Sequence, residues 1–295
     1  MRTRAPGKLV LSGAYAVLEG ARAIVLAVDR DVVADPARPA DFVTPEVRAA
    51  LGERAAPWFD ASALRADGRK LGLGSSAAIL VASLGALELA SQPALTQSEL
   101  RQRVFLPALR AHRSAQGGGS GVDVAASTFG GVLVVEPKGE TLAVSVATLP
   151  ASLCFSVLAS SQPASTPDPI RRVHALRAAD PRGYARLMQA QADASEAAAV
   201  ALLAGDAPSL LAALGRQGEA LAALGVAAGV PIVTPELAAL QSRASAAGAV
   251  ALPAGAGGGD VSWWVGPTVA PQHAGLEGLA LSLGADGLSA LSLPA

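Results

Sequence analysis

Short runs of β-branched and leucine residues alternate with glycine-marked turns at the start of the chain, and the spacing of apolar positions becomes helical further along. Residues 8–12 and 23–28 read as two strands joined through Gly13 to Gly20, since such runs suit a pleated, half-buried surface. Residues 31–70 are more polar, and Pro36, Pro39, Pro45 and Pro57 interrupt them, so the pattern there specifies no element. Ile79–Ala90 is an apolar stretch long enough for a buried helix whose N-terminus falls at Ser75 and Ser76. A helix over 97–113, a Gly117–Gly121 loop, a helical turn near Asp123–Ser127 and a strand at Val132–Glu136 follow, with strand-like runs over 141–160.

Beyond residue 170 the chain turns mostly helical. Arg171–Arg177, Tyr184–Leu203 and Ser209–Leu224 carry apolar residues at helical spacing. Thr234, Pro235 and Glu236 start a helix to about Ala247, with a capping hydroxyl, a first-turn proline and an acid at the positive end of the dipole. Val250–Leu252 and Val261–Val265 then read as strands around the Gly255–Asp260 loop. The change of pattern predicts an α+β protein of two domains, 1–150 and 151–295, with no solenoid repeat.

Composition narrows the function classes. The 295 residues are 51% hydrophobic and 16% charged, ample for a large core. A formal net charge of -1 and a pI of about 6.3 supply no basic field for nucleic acid or an anionic membrane, which leaves a small-molecule partner. The mean hydropathy of +0.40 comes largely from alanine. Apolar stretches such as 196–214 are broken by Gly205, Asp206 and Pro208, so no span is expected. Cys154 has no partner for an internal disulfide and the N-terminus shows no signal-peptide pattern, which predicts a cytoplasmic protein. With aromatics at 3%, the Trp263-Trp264 pair reads as core.

Four segments carry chemistry. In Gly72-Leu73-Gly74-Ser75-Ser76-Ala77-Ala78, glycines let the backbone approach a polyphosphate, and the following helix presents free N–H groups. Ser75 and Ser76 add hydroxyls for a phosphate oxygen or Mg²⁺, and Lys70 upstream offers a positive charge. The competing reading is a Gly-Ser turn that caps a buried helix. Ser120-Gly121-Val122-Asp123, set among glycines, gives one acid room beside a ligand, where it orients or deprotonates an acceptor, or else serves as a helix cap. Gly255-Ala256-Gly257-Gly258-Gly259-Asp260 is costly to order unless something approaches its backbone. Ala5-Pro6-Gly7-Lys8 places Lys8 at the start of a strand, where a solvated edge lysine is the plain alternative.

Taken in order, these segments resemble the GHMP kinases, and the resemblance spans residues 5 to about 266 with a weak stretch at 31–69. It implies an N-terminal domain like the second domain of ribosomal protein S5, a ferredoxin-like C-terminal domain, and an active site between them. Tyr15 in Gly-Ala-Tyr-Ala-Val-Leu-Glu-Gly, Lys70, His112-Arg113 before Gln116-Gly117, Asp123-Val124-Ala125-Ala126 and Pro163-Ala164-Ser165-Thr166 resemble the phosphomevalonate kinases in particular. Mevalonate kinases differ: they tend to carry His at Tyr15, Asn at Val124 and a magnesium-binding Glu near His112. His112 is equally a helix-surface or core histidine on the residues alone.

The resemblance implies that Gly72, Leu73, Gly74, Ser75, Ser76 and Ala77 bind ATP, and that Ser76 holds Mg²⁺. Lys8, Lys70 and Asp123 would be catalytic. Tyr15, Ser120, Gly121, Ser165, Thr166, Gly255, Ala256, Gly257, Gly258, Gly259 and Asp260 would take the acceptor. The implied reaction is ATP-dependent phosphorylation of a small phosphorylated acid, phosphomevalonate to diphosphomevalonate on the mevalonate route to isoprenoids. Three polar positions of the family are apolar here, at Ala14, Leu252 and Ala254, and Ser160-Ser161-Gln162 replaces a usual Trp-Thr-Gly. Two alternatives stay open: a mevalonate kinase or another GHMP kinase with a diverged acceptor pocket, and a non-catalytic nucleotide-binding paralogue.

Overall fold

The computed structural model describes residues 1–66, 68–160 and 169–291, which form an α+β protein that divides into two compact units. Its strands and helices in chain order are β1 (Arg2–Ser12), β2 (Ala23–Pro39), α1 (Pro45–Leu51), β3 (Pro57–Asp60), β4 (Arg65–Ala66), β5 (Arg69–Lys70), α2 (Ser75–Ser91), α3 (Gln97–Gln116) and α4 (Val122–Phe129). There follow β6 (Val132–Lys138), β7 (Thr141–Ala147), β8 (Cys154–Ser160), α5 (Pro169–Ala179), α6 (Pro181–Ala204), α7 (Ala207–Ala228), α8 (Pro235–Ala246), β9 (Val250–Pro253), β10 (Val261–Gly266), β11 (Leu276–Leu279) and β12 (Ser289–Leu291). No helix among the described residues is long and apolar enough to cross a membrane.

The division by contacts differs from the sequence expectation of 1–150 and 151–295. One unit comprises Met1–Leu9, Val25–Val146 and the segment from Leu281, and the other Val10–Ile24 and Ala147–Ala280. The C-terminal segment joins the first unit because β12 pairs antiparallel with β1, Arg2 opposite Leu291 and Arg4 opposite Ser289. Gly131 N–H donates to the Ala285 carbonyl at 2.7 Å. A Cβ at Gly130 would lie 2.0 Å from Gly287 N, so only glycine admits this crossing. Residues 10–24 go with the second unit because Ser12 Oγ donates to Gln217 Oε1, Ser195 Oγ to the Arg22 carbonyl, and Trp263 Nε1 to the Val10 carbonyl at 3.2 Å.

In the first unit the sheet runs β12-β1-β2-β6-β7, with β3 on β2. Lys8 lies within β1, not at its start, because the strand begins at Arg2. Helix α2 is buried from Ala77 through Ala86, so its apolar residues have no polar face to separate from. Helix α3 begins at the Thr96/Glu99 capping box and closes on Gly117 in the left-handed region.

In the second unit an antiparallel sheet of order β11-β8-β10-β9 packs with helices α7 and α8, and α5 and α6 pack on α7. The expected start at Thr234 forms, its Oγ1 accepting from Leu237 N–H. Trp263 and Trp264 are each 1% exposed, the second packed against Leu158, Leu237 and Leu240, so the pair is core.

Candidate active site

Helices α1, α3, α6, α7 and α8 each begin with a side-chain cap, from Thr44, Thr96, Asp180, Asp206 and Thr234. Helices α2 and α4, which follow the first two glycine-rich segments, begin at Gly74 and Gly121 in left-handed conformation with no N-cap side-chain bond. A helix start without a side-chain cap leaves N–H donors for a ligand, and the dipole favours an anion there. The backbone at Ser75, Ser76 and Ala77 is thus disposed to hold phosphate.

Lys8 lies across this loop. Its Nζ donates to the Gly72 carbonyl at 3.2 Å, and its backbone N–H to the Leu73 carbonyl at 2.8 Å. A Cβ at Gly74 would meet Lys8 Cγ at 2.8 Å, and φ there is +77°, so Gly74 is required both by the stem above it and by its own backbone. Ser120 and Gly121 lead into α4: Val122 N–H donates to Ser120 Oγ at 3.5 Å. Arg113 fastens this loop, donating from Nε to the Gly119 carbonyl at 3.2 Å and from Nη1 to that of Glu140 at 2.7 Å.

Asp123, in the first turn of α4, accepts from Val124 N–H at 3.0 Å through Oδ1 and faces His112 Nε2 at 3.1 Å through Oδ2. The Asp123 side chain is 20% exposed and that of His112 only 2%, so the carboxylate reaches solvent while the ring backs it. Burial pushes the Asp123 carboxyl up, but the His112 hydrogen bond and charge outweigh it, helped by Lys8 and Val124 N–H. The group is held below the ordinary 3.8. Burial likewise lowers His112, yet Asp123 and Glu46 carry it above 6.5 against the opposing charge of Arg113.

A cavity of about 700 Å³ opens beside the loop, lined among others by Phe42, Thr44, Phe59, Lys70, Ser75 and Ser76. Lys70 therefore belongs to this cavity, with the two serines. Phe42 is 60% exposed and meets Phe59 edge-on with ring centroids 5.0 Å apart. That aromatic wall offers a surface for a planar base. It comes from residues 31–69, where the sequence pattern specified nothing.

Tyr15 and the Gly255–Asp260 segment come together within the second unit. Tyr15 alone among the described non-glycine residues has positive φ, at 63° with ψ of -55°, and Ala16 N–H donates to the Ala14 carbonyl across it at 2.7 Å. This is a γ-turn of the strained kind, worth holding only where structure over-determines it. Tyr15 is 5% exposed and its hydroxyl donates to the Ala256 carbonyl at 2.6 Å. Gly255, Gly257, Gly258 and Gly259 all have positive φ, and a Cβ at Gly257 would lie 2.3 Å from the Ile232 carbonyl. The Asp260 carbonyl accepts from Ser160 N–H at 3.0 Å. Leu252 is 2% exposed and packs on α7, where a Cβ at Gly218 would meet it at 2.7 Å. Its apolar character thus answers to packing. Ser165 and Thr166 lie outside the described residues.

Among the described residues no three His, Cys, Asp or Glu side chains gather to enclose a metal. Mg²⁺ bound with a polyphosphate needs one or two protein oxygens and takes the rest from phosphates and water. Ser76, half-buried in the uncapped first turn of α2, fits that requirement.

Residues 67–131 match the GHMP kinases N terminal domain. That segment contains the Gly72–Ala78 loop, α2, His112 and Asp123. The chain is 29% identical over 329 residues to phosphomevalonate kinase of Streptomyces sp. (strain CL190), covering 87% of each chain. A Lin0012 protein from Listeria innocua has a solved structure similar at a TM-score of 0.83 and 21% identity, covering 98% of this chain and 99% of that one. Streptococcus pneumoniae phosphomevalonate kinase, solved with phosphomevalonate and AMPPNP, gives 0.74 at 19% identity, with 96% and 99% covered. The fold is that of the GHMP kinases.

Proposed function

We propose, from the GHMP kinase N-terminal domain that this chain carries, that the protein is a small-molecule kinase which transfers the γ-phosphoryl group of ATP to phosphomevalonate, yielding diphosphomevalonate for isoprenoid synthesis. The observation that carries the reading is the convergence of Lys8, the uncapped α2 N-terminus and Asp123 around one glycine loop. The 29% identity to a phosphomevalonate kinase supports the choice of acceptor.

Bringing two anionic phosphates together is chiefly a matter of positioning and charge neutralisation. The N–H groups of Ser75, Ser76 and Ala77 bind phosphate oxygens, and the Lys8 ammonium neutralises charge beside them. Mg²⁺, held at Ser76 when bound with ATP, supplies further neutralisation of the β- and γ-phosphates. Phe42 and Phe59 receive the base. A carboxyl held below its ordinary value is a weak base. This suits an acceptor phosphate whose second pKa, near ~6, leaves it ionised at pH 7 without help. Asp123 accordingly orients the acceptor.

Tyr15 and the Gly255–Asp260 loop serve the acceptor, Tyr15 by holding the loop through the Ala256 carbonyl. Tyr15→Phe is expected to raise the KM for phosphomevalonate roughly threefold to tenfold, the worth of one neutral hydrogen bond, and to leave that for ATP unchanged. Steady-state kinetics with each substrate varied in turn checks this. The use of ATP and the single Cys154 both accord with a cytoplasmic setting.

A coupled assay of ADP release, run with phosphomevalonate, mevalonate and no acceptor, tests the function. Turnover is expected with the first alone. ATP binding without turnover on any acceptor would favour a non-catalytic protein, and turnover on mevalonate would reassign the acceptor.

A further inference from the structure

The buried face of α3 comprises Leu100, Val104, Phe105, Ala108, Leu109, Ala111 and one polar residue, His112. An apolar side chain is what the helical spacing calls for at 112, three residues beyond Leu109 and four beyond Ala108. A polar group there at 2% exposure costs stability unless it is partnered. The partnering is lopsided. Nε2 faces Asp123 at 3.1 Å and the Gln116 amide at 3.1 Å, whereas the buried Nδ1 has no hydrogen-bond partner among the described residues. Both polar contacts of the ring lie at Nε2. This ring is committed on the side of Asp123.

We propose that His112 is a positioning residue for phosphoryl transfer: its buried imidazole fixes the Asp123 carboxylate beside Lys8 and the phosphate loop. The proposal rests on the kinase reading above. The charged groups around the ring come from three elements: Asp123 on α4, Glu46 on α1, and Arg113 on α3 itself, whose guanidinium is held by loop carbonyls. Gln116 lies between His112 and Glu46, its Nε2 3.5 Å from Glu46 Oε1. Lys8 acts on Asp123 from β1.

With a proton on the ring, imidazolium and carboxylate neutralise each other and leave Lys8 for the phosphates. With an apolar residue at 112, the Asp123 charge is free to draw Lys8 away or to repel ATP and acceptor. His112 is carried above 6.5 in the fold, so the ring keeps its proton to higher pH than a free imidazole and loses it as pH rises through the folded value. Turnover is expected to decline over that rise.

His112→Leu is expected to lower kcat roughly tenfold to a hundredfold, the worth of a charge-assisted hydrogen bond, with ATP affinity changed less than about threefold. The alkaline decline of kcat should vanish with the ring. His112→Gln, which restores a donor but no charge, should recover part of kcat and still lack that decline. Should the leucine variant not fold, His112→Gln carries the test, with kcat below the parental value and an unchanged KM for ATP. NMR titration of the imidazole reads the pair without any turnover: His112 should titrate above 6.5 in the parent and fall in Asp123→Asn. Parental kcat and pH profile in folded His112→Leu, or a His112 titration that ignores Asp123→Asn, would overturn the proposal. An inactive parent that still shows the coupled titration would contradict the kinase reading while keeping the pair.

Discussion

Asp123→Asn is expected to lower turnover by roughly a hundredfold or more while ATP affinity changes by less than about threefold, in line with the loss of a positioned catalytic group. The substitution is nearly isosteric, so α4 and its Val124 contact persist. What changes is charge: the amide no longer balances His112 and Lys8, both of which act on the carboxylate. In the proposed arrangement the acceptor loses the partner that orients it toward the γ-phosphate, whereas ATP keeps the α2 amides, Lys8 and the aromatic wall. Single-turnover kinetics beside equilibrium binding of AMPPNP separates the two effects. A variant with parental turnover would remove Asp123 from the site.

Lys8→Met should be nearly as damaging but by a different route. The methionine stem can still cover Gly74, whose absent Cβ leaves room for Lys8 Cγ, so the loop should keep its shape. The lost ammonium removes a charged hydrogen bond from the phosphates, a loss on the order of 1.5 to 3 kcal/mol and hence roughly ten- to hundredfold. Both kcat and ATP affinity should fall, and kcat/KM for ATP measured against Mg²⁺ concentration reads the effect. A loss confined to acceptor KM would place Lys8 elsewhere in the reaction.

The glycine-rich segments were legible because backbone geometry constrains residue type directly: Gly74 and Gly257 both have positive φ, and a Cβ would meet the Lys8 stem at the first and the Ile232 carbonyl at the second. Element periodicity was equally readable where it ran long, as in α6 and α7, and α2 was readable as a long apolar run. Residues 31–69 were not. There β2 extends to Pro39, and the prolines lie at the end of that strand, at the start of α1 and at the start of β3, rather than in a loop. Yet Thr44-Pro45-Glu46 repeats the cap signature of Thr234-Pro235-Glu236, and the same reasoning applied to it finds α1. His112 could be weighed only as core or contact, because its meaning depends on Asp123, which lies on the next helix and meets it through tertiary packing. The domain boundary missed β12 since a three-residue strand of Ser, Ala and Leu carries no period, and its pairing with β1 is set by the far end of the chain.

The proposed reaction moves a phosphoryl group from ATP to an acceptor that is already a phosphate. Phosphorus NMR of the parent protein incubated with Mg²⁺, ATP and phosphomevalonate observes that bond directly. The monophosphate resonance of phosphomevalonate is expected to give way to the coupled pair of a diphosphate as ADP accumulates, and Asp123→Asn to slow both together. ADP accumulating with inorganic phosphate while the phosphomevalonate signal persists would contradict it.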